Sequence, residues 1–407
     1  MKKIIALLMT LAMIFALAAC GQSAAPAASS TEAAPAEEAA PAEEAPFAGL
    51  ICLHDENSGY DANFINGFNA ACAALGVKGV IMTNRDDSNT EGYDAACELA
   101  DAGCKVIFSD SYGHGTYLLQ AAQEIPEVQF TSCTDDHALT AGVENFHNAF
   151  ATIFEGRYLA GVAAGMKLAE MIEAGEAASD CKVGYVAALP YSEVISGYTS
   201  WFLGLRSVCP DVTMDVTYTG TWLDETLEKE AAEKLIAGGC VLISQHADSM
   251  GAPNACEAAG VPNVAYNGST MAACPNTYIT SSRIDWEPYF TYAIQAVMNG
   301  ENYDTDYIGT METGSVALTE INENVAAAGT AEKLAEVEAA LKDGSLKVFD
   351  TSAFTVGGDT VTTAMANVEW DEAYTPETEA VADGYYHESE FRSAPYFDLI
   401  IDGINVL

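Results

Sequence analysis

The chain uses one structural unit twice. Asp94 to Ala102 is alanine-rich with Leu99 at helical spacing, breaks at Gly103-Cys104, and runs directly into the apolar Val106-Ile107-Phe108. Glu230 to Ala237 repeats the pattern around Leu235, breaks at Gly238-Gly239-Cys240, and runs into Val241-Leu242-Ile243. A glycine supplies the left-handed residue that ends a helix, and a short apolar run bounded in this way suits a buried strand. Upstream, Val80-Ile81-Met82 and Val216-Thr217-Tyr218 stand at corresponding places. Two ordinary strand and helix units can resemble each other by chance. The glycine-cysteine junction recurring with its spacing favours internal duplication.

The second strand of each unit ends in polar residues. The first ends in Ser109-Asp110-Ser111-Tyr112 and the second in Gln245-His246-Ala247-Asp248. In open parallel sheets ligands bind beyond the carboxyl ends of the strands. Two such units therefore predict an α/β chain of two Rossmann-like lobes with parallel sheets, whose strand tips line one cleft.

Charge narrows the partners. Asp and Glu outnumber Lys and Arg by 59 to 16, a formal net charge of -43. Such a chain is repelled by phosphate backbones and anionic headgroups, which argues against nucleic acid and against electrostatic docking on membranes. The N-terminus points to export. Met1-Lys2-Lys3 is basic, Ile4 to Leu17 is apolar, and Leu17-Ala18-Ala19-Cys20 closes on small residues and cysteine. The run is short for a membrane span and resembles a bacterial lipoprotein signal, which implies cleavage before Cys20 and acylation of its sulfur. A plain secretory signal is the alternative. Of the ten cysteines after Cys20, none forms a C-x-x-C or C-x-x-H pattern, so burial as small hydrophobes is expected and no metal or other cofactor is predicted.

Residues 1–20 are thus read as signal and anchor, and residues 21–46, rich in Ala, Pro, Ser and Glu, as a disordered tether. Folding is expected from Phe47. Gly49 to Leu53 forms the first strand, followed by a helix from Ala62 to Leu75 capped by Asn57 or Ser58, with Phe64, Phe68 and Cys72 on its inner face. Lobe crossings are placed near 150, near 283 and between Gly309 and Ala317. The expected lobes are 47–150 with 283–310, and 151–282 with 311–354, followed by an acidic, aromatic extension over 355–407 that wraps the core. Glu155-Gly156-Arg157-Tyr158-Leu159-Ala160-Gly161 carries the small residues that let a helix lie close to its neighbour. Asp224 is placed to cap the helix that follows it, and a further helix is expected to start at Ser196.

Gly220-x-Trp222-x-Asp224, Gln245-His246-Ala247-Asp248-Ser249 and the Glu155 to Gly161 stretch resemble the basic membrane protein family, over roughly residues 47 to 350. Its members are lipid-anchored substrate-binding proteins of ABC importers. The resemblance implies the type I periplasmic binding protein fold with a three-crossing hinge, a small-molecule ligand, permease subunits as partners, and in most characterised members a purine nucleoside or base. It also implies that Asp61 and Phe64 match the acid and aromatic of the first helix, and Trp222, His246 and Asp248 second-lobe positions near the cleft.

The residue types suit a flat heterocycle, held between aromatic faces and read at its edge by carboxylates or amides. Tyr60, Phe64, Tyr112, Trp222 and Trp286 are candidate faces. Asn57, Asp61, Asp135, Asp248 and Asn267 are candidate edges, with Ser109, Gln245 and His246 at the strand tips. A sugar or signal-molecule receptor of the same fold is the runner-up, since aromatic faces also stack on sugars. A membrane-anchored nucleoside hydrolase built on Asp110, His246 and Asp248 is a third reading. Without G-x-S-x-G, Walker, H-E-x-x-H or aspartate-rich metal motifs, a monomeric binding protein at the extracytoplasmic face is expected rather than an enzyme. Labelled palmitate should enter the wild-type chain and not a Cys20→Ala variant; incorporation that survives the substitution would rule out the anchor.

Overall fold

The computed structural model describes residues 45–407; the expected signal, Cys20 and nearly all of the expected tether lie outside the described residues. Chain order explains the layout. The first lobe contains β1 (Ala48–Ile51), α1 (Gly59–Leu75), β2 (Gly79–Met82), α2 (Glu91–Ala102), β3 (Val106–Ser109), α3 (Gly115–Glu124), β4 (Gln129–Cys133), α4 (Ala138–Ala141) and β5 (Phe146–Ala151). The second contains α5 (Ile153–Glu173), β6 (Lys182–Ala187), α6 (Ser192–Arg206), β7 (Thr213–Tyr218), α7 (Glu225–Ala237), β8 (Cys240–Gln245), α8 (Gly251–Ala259), β9 (Asn263–Tyr266) and β10 (Tyr278–Ile284). Next come α9 (Glu287–Asn299), β11 (Asp306–Gly309), β12 (Val316–Leu318) and α10 (Thr330–Lys342).

The strands form two sheets ordered β11-β5-β4-β3-β1-β2 and β12-β10-β9-β8-β6-β7, the second extended past β7 by a C-terminal strand, Ile404–Val406. All neighbours are parallel except β12, which runs against β10. Taken from β1 or from β6, the first five strands of each lobe have the same spatial order, and the duplicated units occupy the same place in both. The glycines behave as the pattern requires: Gly103 has φ of 113° and Gly239 of 92°.

Side by side, the three crossings form the hinge. Thr152 N–H donates to Gly309 C=O at 2.8 Å, and Asp285 N–H donates to Ser315 C=O at 2.8 Å. After the second crossing, α9 lies against α1 in the first lobe, with Trp286 stacked on Phe64 at 4.1 Å between ring centroids. Such a pair adds about 0.5–1.5 kcal/mol beyond area burial.

Within the second lobe α5 and α6 pack at the limit of backbone contact. A Cβ on Gly161 would stand 2.0 Å from the Trp201 carbonyl oxygen, and one on Gly204 would stand 2.1 Å from that of Tyr158. The helix α6 begins at Ser192, four residues earlier than its sequence suggested, and buries Trp201, Tyr198 and Phe202. All ten described cysteines are free thiols, eight of them buried among apolar side chains.

Beyond α10 the extension holds three short hairpins and long irregular runs. It closes on the second sheet through the pairing of Ile404 with Met214 and Val406 with Val216. Close packing of α5 on α6 gives a direct test. Gly161→Ala forces the helices apart and should cost about 3 kcal/mol, the upper part of the range for overpacking, read as a lowered denaturation midpoint.

Candidate functional site

Each sheet changes the direction of its strand order beside its first strand, between β1 and β3 in one lobe and between β6 and β8 in the other. Ligands of open α/β sheets bind at such switch points, because diverging loops leave a crevice there. A crevice with about 450 Å³ of empty space opens where the two sets of tips face each other. It is lined from the first lobe by Leu53, His54, Tyr60, Asp61, Asp110, Ser111, Tyr112 and Thr134, and from the second by Glu193, Trp222, His246, Asp248 and Tyr266. The lobes touch at its edge. Gly59 N–H donates to Asp248 C=O at 3.4 Å, and Asn63 Nδ2 donates to Asn267 C=O at 3.1 Å.

In the first lobe Ser58 caps α1 through Asp61 N–H and so fixes the first turn, which carries Tyr60 and Asp61 to the crevice. Tyr60 hydroxyl donates to Asp110 C=O at 2.7 Å. Asp61 accepts from His54 N–H at 2.7 Å. The Asp61 and Asp110 carboxyls lie within 4.8 Å of each other, and their proton affinities are driven apart. Burial, then the Asp61 charge, pushes Asp110 well above the carboxylate range. Burial also acts to raise Asp61, but the hydrogen bonding of His54 and Ser58 and the neighbouring Asp110 outweigh it and hold Asp61 low. The pair is thus biased towards a neutral Asp110 beside a charged Asp61.

In the second lobe a buried cation organises the tip of β8. Arg157 on α5 donates from Nη1 to Gln245 C=O at 3.1 Å and from Nη2 to His246 Nδ1 at 3.0 Å, with its guanidinium carbon 3.2 Å from the Tyr266 ring centroid. Because Nδ1 accepts, the proton of neutral His246 sits on Nε2, which donates to Glu193 at 3.2 Å. Burial, and then the Arg157 charge, lowers the affinity of His246 for a second proton. Asp248, held by Asn267 Nδ2 at 2.8 Å, is raised well above its usual range by burial, then by the Asp61, Glu228 and Glu193 charges. Trp222 stands on the loop before α7, which Asp224 caps by accepting from Thr226 and Leu227 N–H groups. Its carbonyl accepts from Asp248 N–H at 3.0 Å. The Tyr266 hydroxyl is buried without a partner among the described residues.

Of the residues predicted to bind ligand, the structure brings Tyr60, Asp61, Tyr112, Trp222, His246 and Asp248 into this crevice and puts the others elsewhere. Phe64 lies one helical turn beyond Tyr60, about 6 Å along α1, and is completely buried on Trp286. Both rings therefore serve the α1–α9 interface. Ser109 is fully buried and does not line the crevice. Gln245 is spent on Asn263, from which its side chain accepts at 2.9 Å. Asn57 is exposed and bonded to Asp55, and Asp135 is paired with His137 in the first lobe, at 2.5 Å. Asn267 touches Asp248 and positions it. Asp110 was legible as a strand-tip carboxyl but was not placed among the ligand groups. Leu53, His54, Ser111, Thr134, Glu193 and Tyr266 were missed. His54 and Tyr266 follow the strand-tip rule, since each sits at or just past a strand's carboxyl end; Glu193 carried no signal because α6 was read as starting later.

The profile of the family described as ABC transporter substrate-binding protein PnrA-like matches residues 55–347. The chain belongs to this family. A purine-binding protein of Brucella abortus is 31% identical over 283 residues, covering 68% of this chain and 75% of the relative. A putative ABC transporter glucose-binding protein of Haloferax volcanii is 30% identical over 257 residues, covering 63% and 62%. A solute-binding protein of an Aeropyrum pernix ABC transporter superposes with a TM-score of 0.64 at 18% identity, over 77% of this chain and 94% of that one. The two lobes and three crossings are thus the type I periplasmic binding protein fold. As a PnrA-like protein, the chain binds a small solute for an ABC transporter and works with permease subunits.

The divided protonation of the acid pair is testable. Asp110→Asn replaces a neutral acid by a neutral amide. A carboxyl whose folded affinity for protons is raised stabilises most below its unfolded value of 3.8 and loses that contribution as pH rises. Relative to wild type, Asp110→Asn should therefore gain stability from pH 4 to pH 8. Asp61→Asn should lose about 1.5–3 kcal/mol at neutral pH, with its charged hydrogen bonds removed. Thermal melts across pH read both.

Proposed function

We propose that the solute is a purine nucleoside or base, captured between the closing lobes and delivered to a membrane permease. The observation that carries this reading is the meeting of Tyr60, Tyr112 and Trp222 with Asp61, Asp110 and Asp248 in one crevice. Flat rings hold a fused heterocycle, each offset-stacked contact being worth about 0.5–1.5 kcal/mol. The three carboxyls divide the reading of its edge. Ionised Asp61 only accepts, whereas neutral Asp110 and Asp248 each offer a donor beside an acceptor. That set complements the adjacent N–H and C=O groups of hypoxanthine or guanine. The relative named as purine-binding supports the same choice.

The crevice is suited to binding rather than catalysis. His246 accepts from Arg157 on one nitrogen and donates to Glu193 from the other, so neither is free for proton transfer to a ligand. Nucleoside recovered unchanged after prolonged incubation would agree with this. The relative named as glucose-binding favours a second reading, a sugar stacked on the same rings. None of the described helices is long and apolar enough to cross a membrane. An acylated Cys20 and a tether over residues 21–46 would hold a monomeric body at the extracytoplasmic face.

Thermal shift separates the ligand classes. Inosine or guanosine at 100 times Kd should add about 2.7 kcal/mol of stability. Glucose and ribose should add none. A shift with sugars alone would replace the purine reading with the second. Trp222→Ala should weaken inosine binding at least tenfold, as measured by calorimetry.

A further inference from the structure

The family match ends at residue 347, yet the chain continues to 407 and is fastened to both lobes. On the second lobe the hold is backbone pairing. Ile404 to Val406 extends the sheet beside β7, Met214 N–H donates to Gly403 C=O at 2.8 Å, and Leu407 N–H donates to Val216 C=O at 2.9 Å. On the first lobe the hold is made mainly by side chains. Arg392 Nη1 donates to Asp136 at 2.8 Å in a buried ion pair, and Ser393 donates to the Asp306 carboxylate from both its N–H and its hydroxyl. Trp370 lies over the His137 ring at 4.2 Å between centroids.

Nine residues, 394–402, join the two anchorages. Fully extended they would reach about 30 Å, but they are pinned rather than slack. The N–H groups of Tyr396 and Phe397 both donate to the Glu388 carboxylate, Phe397 stacks on Phe349 at 4.2 Å, and Ile401 is buried. The segment crosses the mouth of the crevice. The space just outside is walled by Tyr112 and Thr134 of the first lobe, Tyr191 and Trp222 of the second, and Pro395 and Tyr396 of the extension. Tyr112, Thr134 and Trp222 line the crevice as well. Asp136 stands between strap and crevice: one carboxylate oxygen takes Arg392, and the other accepts from the Tyr112 hydroxyl at 3.4 Å.

We propose that the extension is a clasp across the cleft mouth, latched to the first lobe by Arg392 and Asp136, and that this latch lets go when the lobes part. Because the segment spans the mouth, opening about the hinge lengthens the path between its anchorages, and a pinned segment passes the strain to its weaker end. The second-lobe end is a strand in register with β7. The first-lobe end is a few side-chain contacts, so it releases first. The clasp does not depend on which solute is bound.

Pulsed electron resonance tests it, in the full chain without solute, between spin labels on non-canonical residues at exposed Glu98 of α2 and Lys234 of α7. Arg392→Met, Asp136→Asn and the double variant, which leaves neither charge buried alone, should each add a longer-distance population that wild type lacks, with melts showing that they are folded. Stopped-flow with inosine as the probe should then show release at least tenfold faster from the double variant. Folded variants that keep the wild-type distance distribution would overturn the clasp, whatever inosine does. Longer distances in the variants, with no inosine binding to any form, would keep the clasp and overturn the purine reading.

Discussion

A single buried cation holds the second half of the crevice in place. In a chain with 16 basic residues against 59 acidic ones, Arg157 is 1% exposed. Burial of a charge is costly unless it is paired, and Arg157 meets a strand-end carbonyl, an imidazole nitrogen and an aromatic face, leaving its Nε without a partner among the described residues. These contacts join α5, the first helix after the first crossing, to the tips of β8 and β9. The tautomer of His246, its bond to Glu193 and the placement of Tyr266 follow from that junction. The glycines that bring α5 and α6 to backbone contact serve the same end, because Glu193 stands in the first turn of α6.

Four carboxyl side chains, Asp61, Asp110, Glu193 and Asp248, line the crevice. Several carboxyls sharing a small, dry space cannot all ionise, so the crevice sorts them: Asp61 keeps its charge through hydrogen bonds, and Asp110 and Asp248 are pushed towards the neutral form. A neutral acid presents a donor and an acceptor on one group, as an amide does, without an amide's fixed orientation. Such a crevice offers donors as well as acceptors while its charge disfavours anions. The structure has its lobes in contact, through Gly59 with Asp248 and Asn63 with Asn267, and opening about the three-crossing hinge must break those bonds.

The architecture was legible because it rests on short-range patterns. Helix, glycine and strand recur at 94–109 and 230–245, and a parallel α/β sheet is the natural way to bury such units. Strand-tip logic then located Tyr112, His246 and Asp248, and it would also have located His54 and Tyr266. It failed where depth matters. Tyr60 and Phe64 share a helix face, but one turn decides that the first meets the crevice and the second meets Trp286. Asp135 and Asp110 both follow strand ends; only the latter belongs to a strand beside the switch point.

From the residues alone came the duplication, the acidic field that disfavours polyanions, the aromatic and carboxyl types proposed to hold the solute, a cap at Asn57 or Ser58 and the cap at Asp224, because each depends on neighbours a few positions apart. Tertiary structure decided which of those groups share a space, which carboxyl keeps its proton, and that residues past 350 return to roof the site. These outcomes depend on contacts between segments as far apart as Asp136 and Arg392, and on burial that no local pattern encodes.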